Sequence, residues 1–136
     1  LHDTPAWAAI TTRHAAGAAL AGCSAGAMML GGYTVSVRAM RSSGEPRWRP
    51  ALGLVPGLAI MPHFDRMAGF VGPELFQRML AAAPAGVTLV GVDEDTALLR
   101  LPGQGWRVSG RQTVSVFDGA GQPTIYPAGA SVPLPD

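Results

Sequence analysis

The sequence predicts an α/β protein: a mostly parallel sheet flanked by helices, extended by short antiparallel strands at the C-terminal end. Two observations lead there. Apolar runs of strand length alternate with helical patterns over the first two-thirds of the chain, the order that builds a parallel sheet. The run Val87–Val92 is apolar almost throughout, as in a strand buried on both faces. A third observation gives the fold a site. Gly22-Cys23-Ser24-Ala25-Gly26 holds a serine between two glycines, the pattern of a nucleophile on a sharp strand-to-helix turn.

Each element follows from local signals. Thr4-Pro5 reads as an N-cap with proline at the first helical position, opening a helix to about His14 with Gly17 near its end. Gly17–Ala21 is a short apolar run of strand length, and Ala25–Leu30 suits a helix stopped by Gly31-Gly32. Tyr33–Arg38 alternates like a strand, and Arg41–Pro50 is polar and turn-rich, a surface loop. Leu58–Met61 is a strand ending at Pro62-His63, with Phe64-Asp65-Arg66 as loop. Pro73–Ala83 is a helix with proline in its first turn, and Val87–Val92 follows as the buried strand. Ala97–Leu101, Trp106–Ser109 and Thr113–Phe117 are short strands between glycine-containing turns, and the tail Gly121–Asp136 reads as irregular.

Composition narrows the function. The 136 residues make a single domain, 1–136, with 14% charged residues and a mean hydropathy of +0.23, which exclude a disordered chain. A formal net charge of +1 gives no footprint for nucleic acid or an anionic membrane. Ala15–Gly32 carries no charge, but its Ala and Gly contribute little to membrane insertion and Ser24 sits in its middle, so no membrane span is expected. The single cysteine cannot form an intrachain disulfide and fits a reducing, cytoplasmic setting. No cysteine pair exists and the three histidines lack ligand spacing, so no metal or cofactor is expected. The chain opens at Leu1 and its first methionine is Met28, so it reads as part of a longer or processed chain.

Sites in such sheets form where strands end at their carboxyl edge. Three polar motifs fall there: Ser24 after Gly17–Ala21, His63 after Leu58–Met61, and Asp93-Glu94-Asp95 after Val87–Val92. A serine on the turn points out of the sheet, with the Ala25 N–H placed to donate to an oxyanion. The plainer reading of Ser24 is a helix cap. Cys23 is the stronger nucleophile type, but the glycines centre on Ser24, which makes Cys23 a small buried residue. His2 lies near the terminus and His14 on a helix; only His63 follows an apolar strand. His63 could merely cap that strand, and the acidic run could be an ordinary turn, yet a carboxylate there could orient an imidazole. Arg66, three residues beyond His63, could bind a substrate carboxylate bidentately, or be a solvated arginine like Arg38, Arg41, Arg47 and Arg49.

Together, Gly22-Cys23-Ser24-Ala25-Gly26-Ala27, Pro62-His63-Phe64-Asp65-Arg66 and Gly91-Val92-Asp93-Glu94-Asp95-Thr96-Ala97-Leu98 resemble the serine peptidase family of aspartyl dipeptidase (peptidase E) and cyanophycinase. Leu1–Pro5 resembles that family's helix before the nucleophile turn. The resemblance implies the flavodoxin-like fold of class I glutamine amidotransferase domains. It also implies a peptidase acting on small peptides, with Ser24 as nucleophile, His63 as base and Glu94 as the acid, Asp93 being the alternative acid. The chain covers the C-terminal part of such a domain, roughly three-fifths by element count. The family's earlier strands, and the turn resembling the source of a second oxyanion donor, are not in this sequence, so the expectation is either an associated N-terminal fragment or a chain that alone is poorly soluble and inactive, with a homo-oligomer as a further partner. Only Arg66 stands where cyanophycinase resembles an arginine-rich grip, which makes that polymer a doubtful substrate. A non-catalytic binding domain and a glutamine amidohydrolase-like enzyme are the alternatives, the latter disfavoured by serine in place of cysteine.

Overall fold

A computed structural model describes residues 2–117 and 122–135. Leu1, Gly121 and Asp136, which bound the N-terminal motif and the tail in the sequence reading, lie outside the described residues. The first helix, α1 (Pro5–Ala15), starts as its residues demand: Thr4 caps it by accepting the Trp7 N–H at 3.2 Å, and Pro5 takes the first position. The chain then runs extended to Ser24 and enters α2 (Ala25–Leu30). Gly17–Ala21 is therefore no strand. A strand exists only through ladder partners, and this segment has none among the described residues.

After β1 (Tyr33–Val35) the predicted strand stops short. Ser36 accepts the Ala39 N–H at 3.2 Å and opens α3 (Val37–Ser43), so a cap overrides the alternation that continued to Arg38. The expected loop Arg41–Pro50 thus begins inside a helix. It ends in β2 (Trp48–Pro50), which pairs antiparallel with β1. β3 (Leu58–Pro62) leads into α4 (Phe64–Val71), a helix where the sequence reading placed a loop. Its residues bury Met67 and pack Phe64 and Val71 on the core, a helical spacing that a three-residue reading is too short to reveal. α5 (Pro73–Ala81) and β4 (Thr88–Val92) follow as expected, then β5 (Thr96–Leu101), β6 (Gly105–Gly110) and β7 (Thr113–Phe117). The tail is not wholly irregular: β8 (Thr124–Pro127) pairs with β7 and β9 (Ser131–Val132) with β6.

The sheets differ from the expectation. The main one has the order β3-β4-β7-β8, and only β3 and β4 are parallel within it. A three-stranded antiparallel sheet, β5-β6-β9, and the β1-β2 pair complete the strands. A mostly parallel sheet is not what these residues form. The chain after β4 forms the β5–β6 hairpin of the second sheet before β7 returns antiparallel beside β4, so no helical crossover carries a further parallel strand there.

The main sheet is the middle of three layers. Alternate residues of its strands, Ala59, Met61, Leu89 and Phe117, face Met40, Met67, Leu75 and Met79 of the helices. The opposite set, Leu58, Val90 and Val114, faces Trp106, Val108 and Val132 of the three-stranded sheet. The indole N–H groups of half-buried Trp48 and buried Trp106 are satisfied: Trp48 donates to the Met79 carbonyl at 3.2 Å and Trp106 to that of Pro135 at 2.9 Å. Among the described residues no helix is long and apolar enough to cross a membrane.

One contact ties this core to the sheet's carboxyl edge. Phe64, the first residue of α4, lies over Gly91 of β4, with its ring 5.6 Å from those of Phe76 and Phe117. A Cβ at position 91 would overlap the Phe64 ring. Gly91→Ala is expected to destabilise the protein by about 1–3 kcal/mol through overpacking, read as a lowered midpoint in urea denaturation.

Candidate active site

The register of β3 and β4 assembles the site. Pro62 stands opposite Val92, so the two parallel strands end flush and deliver His63 and Asp93-Glu94 to the same edge. α2 packs against β3 and carries Ser24 to that edge from the other side. His63 Nε2 lies 3.2 Å from Ser24 Oγ, and His63 Nδ1 lies 3.2 Å from Glu94 Oε1. Three residues far apart in sequence thus form one hydrogen-bonded line. Ser24 is exposed, and the His63 and Glu94 side chains are 40% and 38% exposed, so the line lies at the surface.

The backbone is unusual at Ser24 and His63 and at the residue after Glu94. Ser24 has φ 50° and ψ −124°, His63 has φ 52°, and Asp95, beside Glu94, has φ 54°. Non-glycine residues seldom enter this region, and each costs about 1–3 kcal/mol. Among the described residues only Asp3 joins them. Ser24 makes no side-chain capping bond to α2, so its hydroxyl serves His63 and the capping alternative falls away. Ala25 stands at the first position of α2, next to Ser24, and among the described residues no hydrogen bond uses its N–H.

The glycine pattern around Ser24 has an unequal basis. A Cβ on Gly22 would lie 2.7 Å from both the carbonyl carbon and oxygen of Gly26 and 2.9 Å from Ala27 N, so only glycine lets the incoming chain pass α2. A Cβ on Gly26 would meet nothing within 4 Å. Cys23 also departs from expectation: it is exposed, since among the described residues no strand pairs with the segment it ends.

The carboxylates separate into distinct tasks. Asp93 is engaged by Thr113: its Oδ2 accepts the Thr113 N–H at 3.1 Å and hydroxyl at 2.6 Å, closing the β4–β7 edge. Glu94 alone of the acidic run meets the imidazole. Asp65, quoted in a motif but given no role by the sequence, accepts the Glu94 backbone N–H at 2.9 Å. Partial burial works to raise the Asp65 pKa, but bonds from the Glu94 N–H, the Gln112 side chain and its own backbone, with Arg66 beside it, hold it below the usual 3.8. Arg66 Nε lies 3.2 Å from Asp65 Oδ2 and 3.6 Å from Glu94 Oε2, with its side chain 64% exposed.

Other candidates lie elsewhere. Arg38 and Arg41 line a separate depression with Val37 and Ser42. His14 bonds the Ala18 carbonyl at 2.9 Å, and His2 bonds the Ala51 carbonyl at 2.9 Å rather than hanging free. Phe70, which the sequence did not single out, stands half exposed with its ring edge-on to His63 at 6.3 Å. Its i+4 spacing from Arg66 on α4 puts both beside the imidazole, a signal visible only once α4 is known to be a helix. Among the described residues no group of three or more His, Cys, Asp or Glu could hold a metal ion.

Known proteins match the sequence and the fold. Peptidase family S51 matches the sequence over residues 1–106. The chain belongs to this family, that of peptidase E and cyanophycinase. The crystal structure of a peptidase from an acI-B1 Actinobacterium superimposes with a TM-score of 0.79 at 30% sequence identity, over 96% of this chain and 51% of that one. The chain thus spans about half the length of the solved peptidase it matches. No curated protein matches the sequence.

The two glycines of this S51 motif make opposite predictions. Gly22→Ala forces its Cβ into α2 and should lower the thermal midpoint and displace Ser24. Gly26→Ala, in open space on a helix, should leave the midpoint unchanged or raise it, by up to about 1 kcal/mol in stability. Differential scanning fluorimetry of both variants checks the contrast.

Proposed function

We propose that this chain carries the reaction centre of a serine peptidase that hydrolyses small peptides through an acyl-enzyme. The observation that supports it is the Ser24–His63–Glu94 line, with both hydrogen bonds at 3.2 Å. Ser24 Oγ attacks the scissile carbonyl while His63 Nε2 removes its proton. Glu94 holds the Nδ1–H of His63, fixing the tautomer and favouring the imidazolium that forms. The Ala25 N–H donates to the oxyanion. His63 then protonates the leaving amine, and water, activated by the same imidazole, releases the acyl group from Ser24. Glu94 rather than Asp93 is the acid in this reading, because Thr113 occupies the Asp93 carboxylate.

Arg66 supplies the substrate contact. Its guanidinium is mostly exposed and stands beside the imidazole's partner, within reach of a peptide carboxylate arriving at Ser24. The lone cysteine supports a cytoplasmic setting. A binding domain without catalysis would have no use for a strained serine aimed at a histidine.

Two experiments test this. A fluorophosphonate should label Ser24, and Ser24→Ala or His63→Ala should abolish labelling and peptide hydrolysis alike, since such residues act as a unit. Glu94→Gln should lower turnover about 10²- to 10⁴-fold. Labelling that survives Ser24→Ala and disappears with Cys23→Ala would transfer the role to the thiol. For Arg66→Ala, KM should rise about tenfold for peptides with a free carboxylate and stay unchanged for their amides, the loss of one charge-assisted bond; equal rises would assign Arg66 to structure.

A further inference from the structure

Glu94 sits in an exposed turn between β4 and β5, where a carboxylate would ordinarily sample many positions. Its main chain is instead held from both sides. Asp65 Oδ1 accepts its N–H at 2.9 Å, while the Thr96 hydroxyl and the Gln112 side-chain amide both donate to its carbonyl at 3.0 Å. The Gln112 N–H also donates to Thr96 Oγ1 at 3.0 Å, locking that pair. Of these groups, Asp65 alone belongs to α4, two residues beyond His63. The Asp65–Glu94 bond therefore joins the turn carrying the acid directly to the helix that begins at the base.

The second Asp65 oxygen adds an electrostatic part. It holds Arg66 Nε at 3.2 Å, and the same nitrogen lies 3.6 Å from Glu94 Oε2. One cation stands between two carboxylates that would otherwise repel each other. It faces Oε2, leaving Oε1 for His63 Nδ1.

We propose that Asp65 is a positioning residue for the reaction: by holding the Glu94 backbone N–H and the Arg66 guanidinium, it aims Glu94 Oε1 at His63. It touches neither substrate nor nucleophile. The inference rests on the Ser24–His63–Glu94 reading above. Losing the bond frees the turn, and misplacement of a supporting group by about 1 Å can cost about 10²-fold in rate.

The test uses the intact protein with a short peptide substrate. On a peptide amide, whose KM does not depend on Arg66, Asp65→Ala should lower kcat about 10- to 100-fold with KM unchanged. Asp65→Asn keeps an oxygen able to accept the Glu94 N–H and should recover kcat to within about threefold of the parent. Full activity of Asp65→Ala, or equal losses in the two variants, would overturn the proposal. Nuclear magnetic resonance gives a readout independent of catalysis. The Glu94 amide proton should move upfield as Asp65 is protonated, with a midpoint below 3.8, since the depressed pKa keeps the bond charged until the pH falls that far. That transition should be absent in Asp65→Asn. A Glu94 amide insensitive to Asp65 would overturn the positioning role even if Ser24 is labelled normally. Conversely, loss of the Ser24 assignment alone would appear as labelling that survives Ser24→Ala, with the amide titration intact.

Discussion

Every feature of the site depends on the pairing of β3 with β4. Pro62 opposite Val92 makes the strands end at one level, and the residues that follow, His63 and Glu94, meet because of it. A one-residue slip would exchange the faces of Ala59 and Met61 with those of Leu58 and Ile60, burying each set against the wrong layer. The core thus enforces the register, and the register sets the distance between His63 and Glu94. The geometry of the candidate site is maintained by hydrophobic packing on both faces of one parallel pair.

The packing also accounts for the strain. Ser24, His63 and Asp95 occupy backbone regions that local preference disfavours, so the surrounding structure must over-determine them. Each has a visible constraint. Gly22 passes against α2 with no room for a side chain, fixing the approach to Ser24. Phe64, wedged over Gly91 among Phe76 and Phe117, anchors the residue next to His63. The Asp95 carbonyl accepts the Arg111 N–H at 2.9 Å, pinning the turn beside Glu94. Strain of this kind preorganises a site, since the groups need not be collected at the moment of reaction.

The acidic run shows why three adjacent carboxylates need not compete. Asp93 closes a sheet edge on Thr113, Glu94 meets His63, and Asp95 lies 3.9 Å from Arg111. Alternate residues leaving a strand point to different sides, so neighbours in sequence reach different partners. The chain is a member of family S51, and the solved peptidase it resembles is about twice as long.

The sequence by itself determined the local events. Thr4-Pro5 opens α1, Pro73 opens α5, the apolar run ending at Val92 forms β4, and Gly22 shapes the turn at Ser24, because each depends on residues within a few positions. The candidate residues Ser24, His63 and Glu94 were legible for the same reason: each follows an apolar run or a glycine signal. Tertiary structure decided what depends on partners. Gly17–Ala21 has strand composition but no ladder among the described residues, whereas Thr124–Pro127, in a tail that read as irregular, becomes a strand because β7 offers one. α4 emerged only with Met67 and Phe64 in the core, and with it Phe70 beside His63. The choice of Glu94 over Asp93 at the imidazole, and the hold of Asp65 on the Glu94 backbone, join residues about thirty positions apart. Such contacts are set by how strands and helices stack, which no local pattern encodes.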